Sequence, residues 1–220
     1  MIKWIVYCLG YIFWGIGASV ILNTHIGAGA WDALFSNLSM VFGMSIGTWM
    51  IIITSIITLV SSYLLKKIYY QPVIIGFFMG FILNAFNYIF SPLLVDANIY
   101  INILSFGIGL YIMSFGVAVQ IYTKGILPPV DFFVITLKDT QNLNYIFTKI
   151  VTEIGAIAVA LVVGYLGGIG TGQINAGTIA IAIVIAPLIN FNQKIVTRML
   201  GGVGTFGTKA PLIEEKKLVI

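Results

Sequence analysis

Six runs of about twenty apolar residues, each long enough to cross a bilayer as an α-helix, divide the chain: residues 4–22, 46–65, 73–95, 99–122, 146–165 and 174–191. Polar residues gather in the short connections between them. Two of those connections carry a further element. Trp31, Leu34, Phe35 and Leu38 fall at i, i+3, i+4 and i+7, as do Val130, Phe133, Val134 and Leu137, so each predicts a short helix with one apolar stripe. A glycine-broken turn, Gly27-Ala28-Gly29-Ala30, leads into the first. Pro128-Pro129 opens the second, where proline suits a helix start. Both helices put an acid, Asp32 or Asp131, in their first turn.

The two halves of this pattern repeat. At an offset of 99, Gly10 pairs with Gly109, Gly17 with Gly116, Val20 with Val119, Thr24 with Thr123 and Asp32 with Asp131. Farther on the offset shrinks to 97 and pairs Gly80-Phe81-Ile82-Leu83-Asn84-Ala85 with Gly177-Thr178-Ile179-Ala180-Ile181-Ala182. Each half holds three spans, an odd number, so the second half enters the membrane upside down. The expectation is an all-α polytopic membrane protein of six transmembrane helices arranged as a 3+3 inverted repeat. Each half adds one short amphipathic helix that does not span. Residues 1–98 form the first repeat, 99–200 the second, and 201–220 a cytoplasmic tail.

Composition agrees: 60% of residues are hydrophobic and 8% charged, with a mean hydropathy of +1.06, against about 25% charged in soluble domains. The net charge of +4 does not mark a nucleic-acid binder, because of where the charges sit. With the amino terminus inside and the short helices not crossing, Lys3, Lys66, Lys67, Lys124, Lys138, Lys149, Lys194, Arg198, Lys209, Lys216 and Lys217 all fall on one side. That is the cytoplasmic side of a bacterial plasma membrane, where lysine and arginine collect, and both termini lie there. His25, Asp32, Asp96 and the glycine-rich turn at 164–172 face outward. The first run lacks a small-residue cleavage site and has an internal counterpart, so it is read as a span and not a signal peptide.

Candidate chemistry is sparse. Asp32 and Asp131 either sit against the orphan amides of a helix start or guard one mouth each of a central pathway. Glu153 lies within the fifth span, where an ionised group costs at least ~2.5 kcal/mol near the centre and marks a functional candidate; Lys149, one turn earlier, offers an i, i+4 partner. Asn84 and Gln120 serve as interhelical hydrogen bonds or as substrate lining. Gly10, Gly15 and Gly17, with Gly107, Gly109 and Gly116, let the first and fourth spans approach closely, and Pro187 removes one backbone bond from the last span. No cofactor or metal site is expected, because Cys8 and His25 are each the sole residue of their type. No serine or cysteine stands with a histidine base, so no enzyme is expected. Gly167-Gly168-Ile169-Gly170 has no strand before it and no Lys-Ser/Thr after it, which excludes a nucleotide loop.

The Gly-x-Gly-x-x-Asp turn from Gly27 to Asp32, with Gly43-Met44-Ser45-Ile46-Gly47-Thr48 after the short helix, resembles the signature of the bacterial YczE/YyaS/YitT family of integral membrane proteins. Gly177-Thr178 with Ala182 and Ala186-Pro187 is similar to that family's glycine-threonine to glycine-proline span, with Ala186 where glycine is more usual. The resemblance runs from about Gly10 to Phe191 and implies a multi-pass plasma-membrane protein described as a permease. Together with the inverted repeat, which secondary transporters use for alternating access, it leads to an expected function: a transporter of an unidentified small solute. The alternatives are a substrate-binding membrane subunit of a larger transport complex and a regulatory or structural membrane protein. The partners expected are the lipid bilayer and that solute, and a homo-oligomer fits the same reading.

Overall fold

The computed structural model describes residues 2–94 and 96–201; the sequence-predicted tail lies, beyond Gly201, outside them. It contains eight helices: α1 Ile2–Asn23, α2 Ala30–Phe42, α3 Ile46–Leu64, α4 Gln71–Leu94, α5 Ile99–Thr123, α6 Pro129–Gln141, α7 Tyr145–Leu166 and α8 Ala176–Leu200. Among the described residues there is no strand. All except α2 and α6 are long and apolar enough to cross a membrane, as a multi-pass membrane protein requires. The last span runs nine residues past its sequence-predicted end, carrying Lys194 and Arg198 as helix. Pro187 does not end it either: α8 continues through the proline, whose ring is exposed on the outer face.

An offset of 99 relates several elements of the backbone. α2 and α6 are both 13 residues long and begin and end 99 positions apart. α3 and α7 begin at the same offset, each behind a side-chain cap, Ser45 accepting from Thr48 N–H and Asn144 from Ile146 and Phe147 N–H. Ahead of the short helices, His25 and Lys124 are both left-handed, at φ 55° and 52°. The threonine before each donates its hydroxyl to the carbonyl three residues back, Thr24 to Ile21 at 2.7 Å and Thr123 to Gln120 at 2.9 Å.

α1 and α5 form the centre. α1 is the most buried span, and Tyr7, Tyr11 and Trp14 anchor its side of the core. The two helices cross antiparallel on glycine: a Cβ at Gly17 would lie 2.5 Å from Gly109 O, and one at Gly116 would lie 2.6 Å from Gly10 O. Without a hydrophobic force between helices in lipid, such backbone approach is what holds spans together. α4 flanks α1, with Gly15 against Ile82 and Ser19 donating to Leu83 O. α8 flanks α5, where Asn192 Nδ2 donates to Ser114 Oγ at 2.7 Å. Ser114 stands 99 positions after Gly15.

The short helices cross over. α2 packs on α7, and α6 packs on α3. Leu34 and Leu38 sit on Ala156 and Ala160, while Pro129 and Thr54 meet at Gly76 and Tyr69 packs on Phe132. The third and fourth helices of the halves differ. α3 lies along α4, with Gly47 and Gly80 in backbone contact; α7 and α8 have no comparable packing.

Candidate functional site

α7 carries the site because small side chains face the short helices and leave charged ones beside them. Thr148, Thr152, Ala156, Ala160 and Gly164 form its buried stripe, and α2 runs along that stripe in the same direction as α7. Asn37 meets Ala160 and Val41 meets Gly167, so Asp32, at the other end of α2, returns toward the level of Glu153. α6 starts at Pro129 and delivers Asp131 to the same helix from below in sequence order.

There Lys149 Nζ lies 3.0 Å from Asp131 Oδ1 and 3.5 Å from Glu153 Oε1. The i, i+4 pair of the sequence therefore exists, but the nearer partner of Lys149 is Asp131. All three side chains are between a third and two-fifths exposed. Asp32 is a fourth member by charge. Its carboxylate has, among the described residues, neither a hydrogen-bond partner nor an ion pair. Burial, and secondarily the Glu153 charge, hold it well above the ordinary carboxylate range, at about 7. The α2 dipole favours the anion by about 0.3–1 kcal/mol, and a single pKa unit is worth ~1.4 kcal/mol, so burial outweighs the dipole. Neither acid caps its helix by accepting a backbone N–H, and Gly29 and Pro128 at the cap positions have no side chain to do so.

The half-to-half comparison explains why one acid is paired and the other is not. At the offset of 99, Lys149 corresponds to Met50 and Glu153 to Thr54; Met50 is buried and Thr54 turns its hydroxyl back to Met50 O at 2.6 Å. Only one half supplies an ammonium. Lys149→Met, which installs the first half's residue in the second, leaves Asp131 and Glu153 without a counter-charge. We expect a loss of about 1–3 kcal/mol, below the 3–5 kcal/mol of a fully buried pair because these groups keep some solvent. Asp131→Asn in the same chain should restore part of it, read as the thermal midpoint of the detergent-solubilised protein.

Of the other candidates, Asn84 Oδ1 accepts from Gly47 N–H at 2.9 Å and stitches α3 to α4. Gln120 lies against Gly10, with Nε2 buried and unpartnered, as is Nε1 of Trp31 beside Asp32. Gly10, Gly17, Gly109 and Gly116 are packing positions in the α1–α5 contact. Asn37 was not singled out by sequence reasoning, yet it is fully buried and ties three elements. Its Nδ2 donates to Ala160 O at 2.9 Å and Thr171 O at 3.2 Å, and its Oδ1 accepts from Gln173 N–H at 3.0 Å. The available signal was an amide beside the apolar stripe of a short helix, next in sequence to Leu38. Among the described residues no group of His, Cys, Asp and Glu could hold a metal ion.

The family of unknown function DUF6198 matches residues 1–194, which include α1 to α7, most of α8 and the whole of this charged row. The chain belongs to this family. It is also similar to the uncharacterized protein YyaS of Bacillus subtilis (strain 168), at 26% identity over 177 residues, 78% of this chain and 85% of YyaS. No solved structure matches. The DUF6198 match ends at Lys194, inside α8.

Proposed function

We propose that this DUF6198 protein is a secondary transporter of a small solute, built as a 3+3 inverted repeat of residues 1–98 and 99–200, with both termini on the cytoplasmic side of the plasma membrane. The resemblance of the Gly27 to Asp32 turn to the YczE/YyaS/YitT proteins, described as permeases, supports this reading. The observation that carries the reading is the crosswise exchange. The short helix of each half rests on the third helix of the other, and the central glycines pair as Gly10 with Gly116 and Gly17 with Gly109. For these glycines, residue i meets j+99 and residue j meets i+99, which is the rule of a two-fold contact. Because α1 and α5 are antiparallel, the axis lies across the helices, in the plane of the bilayer, as in transporters with inverted repeats. The same halves adopt different conformations, with α3 closed on α4 and α7 away from α8. Alternating access exchanges such a pair of conformations.

The test has two parts. In a Cys8→Ser background, cysteines at the exposed left-handed positions 25 and 124 are exposed to an impermeant maleimide in intact cells. We expect position 25 to label directly and position 124 only after permeabilisation. Solute-evoked currents from proteoliposomes are then screened on a supported membrane, with loss in Asp32→Asn and Asp131→Asn as the expected result. Same-side labelling removes the inverted repeat. Full transport by both variants removes the acids from the pathway.

A further inference from the structure

Two turns meet where α1 stops. Residues 24–29 lead from α1 into α2 and residues 167–175 from α7 into α8. Backbone bonds zip them together: Ala28 N–H donates to Gln173 O at 3.1 Å and Gly177 N–H to Ile26 O at 2.9 Å. Gln173 is the hub of this junction. It is 2% exposed, its backbone N–H donates to Asn37 Oδ1, and its Nε2 lies 3.0 Å from Leu22 O and 3.2 Å from His25 Nδ1. Its Oε1 is buried without a hydrogen-bond partner. His25 is exposed at the rim, and its carbonyl accepts from Asn175 Nδ2 at 3.4 Å.

These contacts fix the protonation state of the ring. The amide is held with its NH2 toward Leu22 O, because a carbonyl oxygen only accepts. The same NH2 faces His25 Nδ1, which is therefore the bare, accepting nitrogen of a neutral imidazole whose proton is on Nε2. A protonated ring donates from both nitrogens and sets N–H against N–H. The amide cannot turn over to meet it. Oε1 would then face Leu22 O, acceptor against acceptor, and the NH2 would enter a buried place where Oε1 now has no partner. The ring has to leave instead.

We propose that His25 and Gln173 form a pH-sensitive latch between the two turns, closed while the imidazole is neutral and open once it is protonated. Histidine is the side chain that changes charge between about pH 5 and 8. Among the described residues no other titratable group bonds to the ring. α1 has none after Tyr11, the 167–175 turn and α8 have none before Lys194, and α2 has only Asp32. Tyr88, Asp96, Tyr100 and Tyr165, near the ends of α4, α5 and α7, are exposed. At the offset of 99, Lys124 holds the same left-handed backbone as His25 with a constant charge, and Ile74 stands 99 positions before Gln173. The latch thus belongs to one end of the bundle. Given the orientation proposed above, that end is the outer one and the latch answers external pH; the latch itself requires only the contacts named.

His25 is the sole histidine, so the whole chain, purified on a histidine-free tag, labelled with nitrogen-15 histidine and held in nanodiscs, gives a single imidazole spectrum. We expect the Nε2–H tautomer at about pH 8. Hydrogen exchange is then followed by mass spectrometry on the segments that contain Ala28 and Gly177, and corrected for the intrinsic effect of pH. Between about pH 8 and pH 5 it should rise about five- to tenfold, the worth of one hydrogen bond. His25→Asn removes the titrating ring and suits the left-handed backbone, so its corrected exchange should ignore pH. An Nδ1–H tautomer in the unaltered chain at high pH overturns the proposal. So does corrected exchange that is flat with pH in the unaltered chain, or that responds equally in His25→Asn. The transport reading fails separately, through the labelling and current measurements above, and its failure leaves the latch standing.

Discussion

Alanine at Gly17 or Gly116 is expected to leave little folded protein. A Cβ at Gly17 would fall on Met113 N and Cα and Gly109 O, and one at Gly116 on Trp14 N and Cα and Gly10 O. These are backbone atoms, which cannot turn aside as a side-chain end can. Separating α1 from α5 by even part of a methyl diameter loosens the contact on which α4 and α8 are hung. Overpacking of well-packed sites costs about 1–3 kcal/mol and occasionally more, and rigid backbone on both sides puts these positions at ~3 kcal/mol or above. Gly107, expected from the sequence to pack but open in the structure, and Gly155 are the controls. Both lie in helices with nothing within 4 Å of an added Cβ, so alanine there should be neutral within about 1 kcal/mol. Fluorescence-detected size exclusion and thermal melting of the four variants, side by side, check the ordering; equal behaviour of all four would remove glycine from the account of the α1–α5 crossing.

The second large effect is expected at Asn37. Alanine there deletes two donated bonds and one accepted bond, and leaves Gln173 N–H buried without a partner. Each bond contributes about 1 kcal/mol net, and a buried unsatisfied group costs about 1–3 kcal/mol, so the loss should be of the order of 3–5 kcal/mol. It should also be local in its first expression. Hydrogen exchange of residues 167–175 ought to rise before that of α1 or α5, since Asn37 is what fastens that turn to α2 and α7. Thr136, the counterpart at the offset of 99, supplies the contrast. It is equally buried, but its Oγ1 has no partner, so Thr136→Val exchanges an idle hydroxyl for a methyl and should be neutral or stabilising. A loss at Thr136 as large as at Asn37 would refute the assignment of Asn37 as a clamp.

The six spans and the two short helices were legible in the sequence because length and periodicity act locally. A run of about twenty apolar residues has one stable form in lipid, and an i, i+3, i+4, i+7 stripe has one apolar face. The pairing of Gly10, Gly17, Gly109 and Gly116 was also foreseeable as close packing, though which glycine meets which was not. Three features escaped. α8 continues past Phe191 because Asn192 and Val196 are buried against α5, a tertiary contact that polarity along the chain conceals. The meeting of Asp131 with Lys149 depends on where α6 begins relative to α7, and its sequence neighbour Glu153 appeared to account for the lysine alone. Asn37 was hidden for the same reason: an amide looks alike whether it faces water or three carbonyl-rich elements.

The crossing of Gly10 on Gly116 and Gly17 on Gly109 is the contact that two identical chains make when they assemble face to face. On the proposed inverted repeat, one polypeptide supplies both partners. Joining them by a short connection fixes their ratio at one to one whatever the amount of protein made, and it releases each copy from having to match the other. A true homodimer that acquired Lys149 would acquire it twice. This chain has Lys149 opposite Met50 and Asn37 opposite Thr136, so one copy carries the ammonium while the other carries the anchor. On that reading, the imbalance of charge that leaves Asp32 without a partner follows from two joined copies being free to differ.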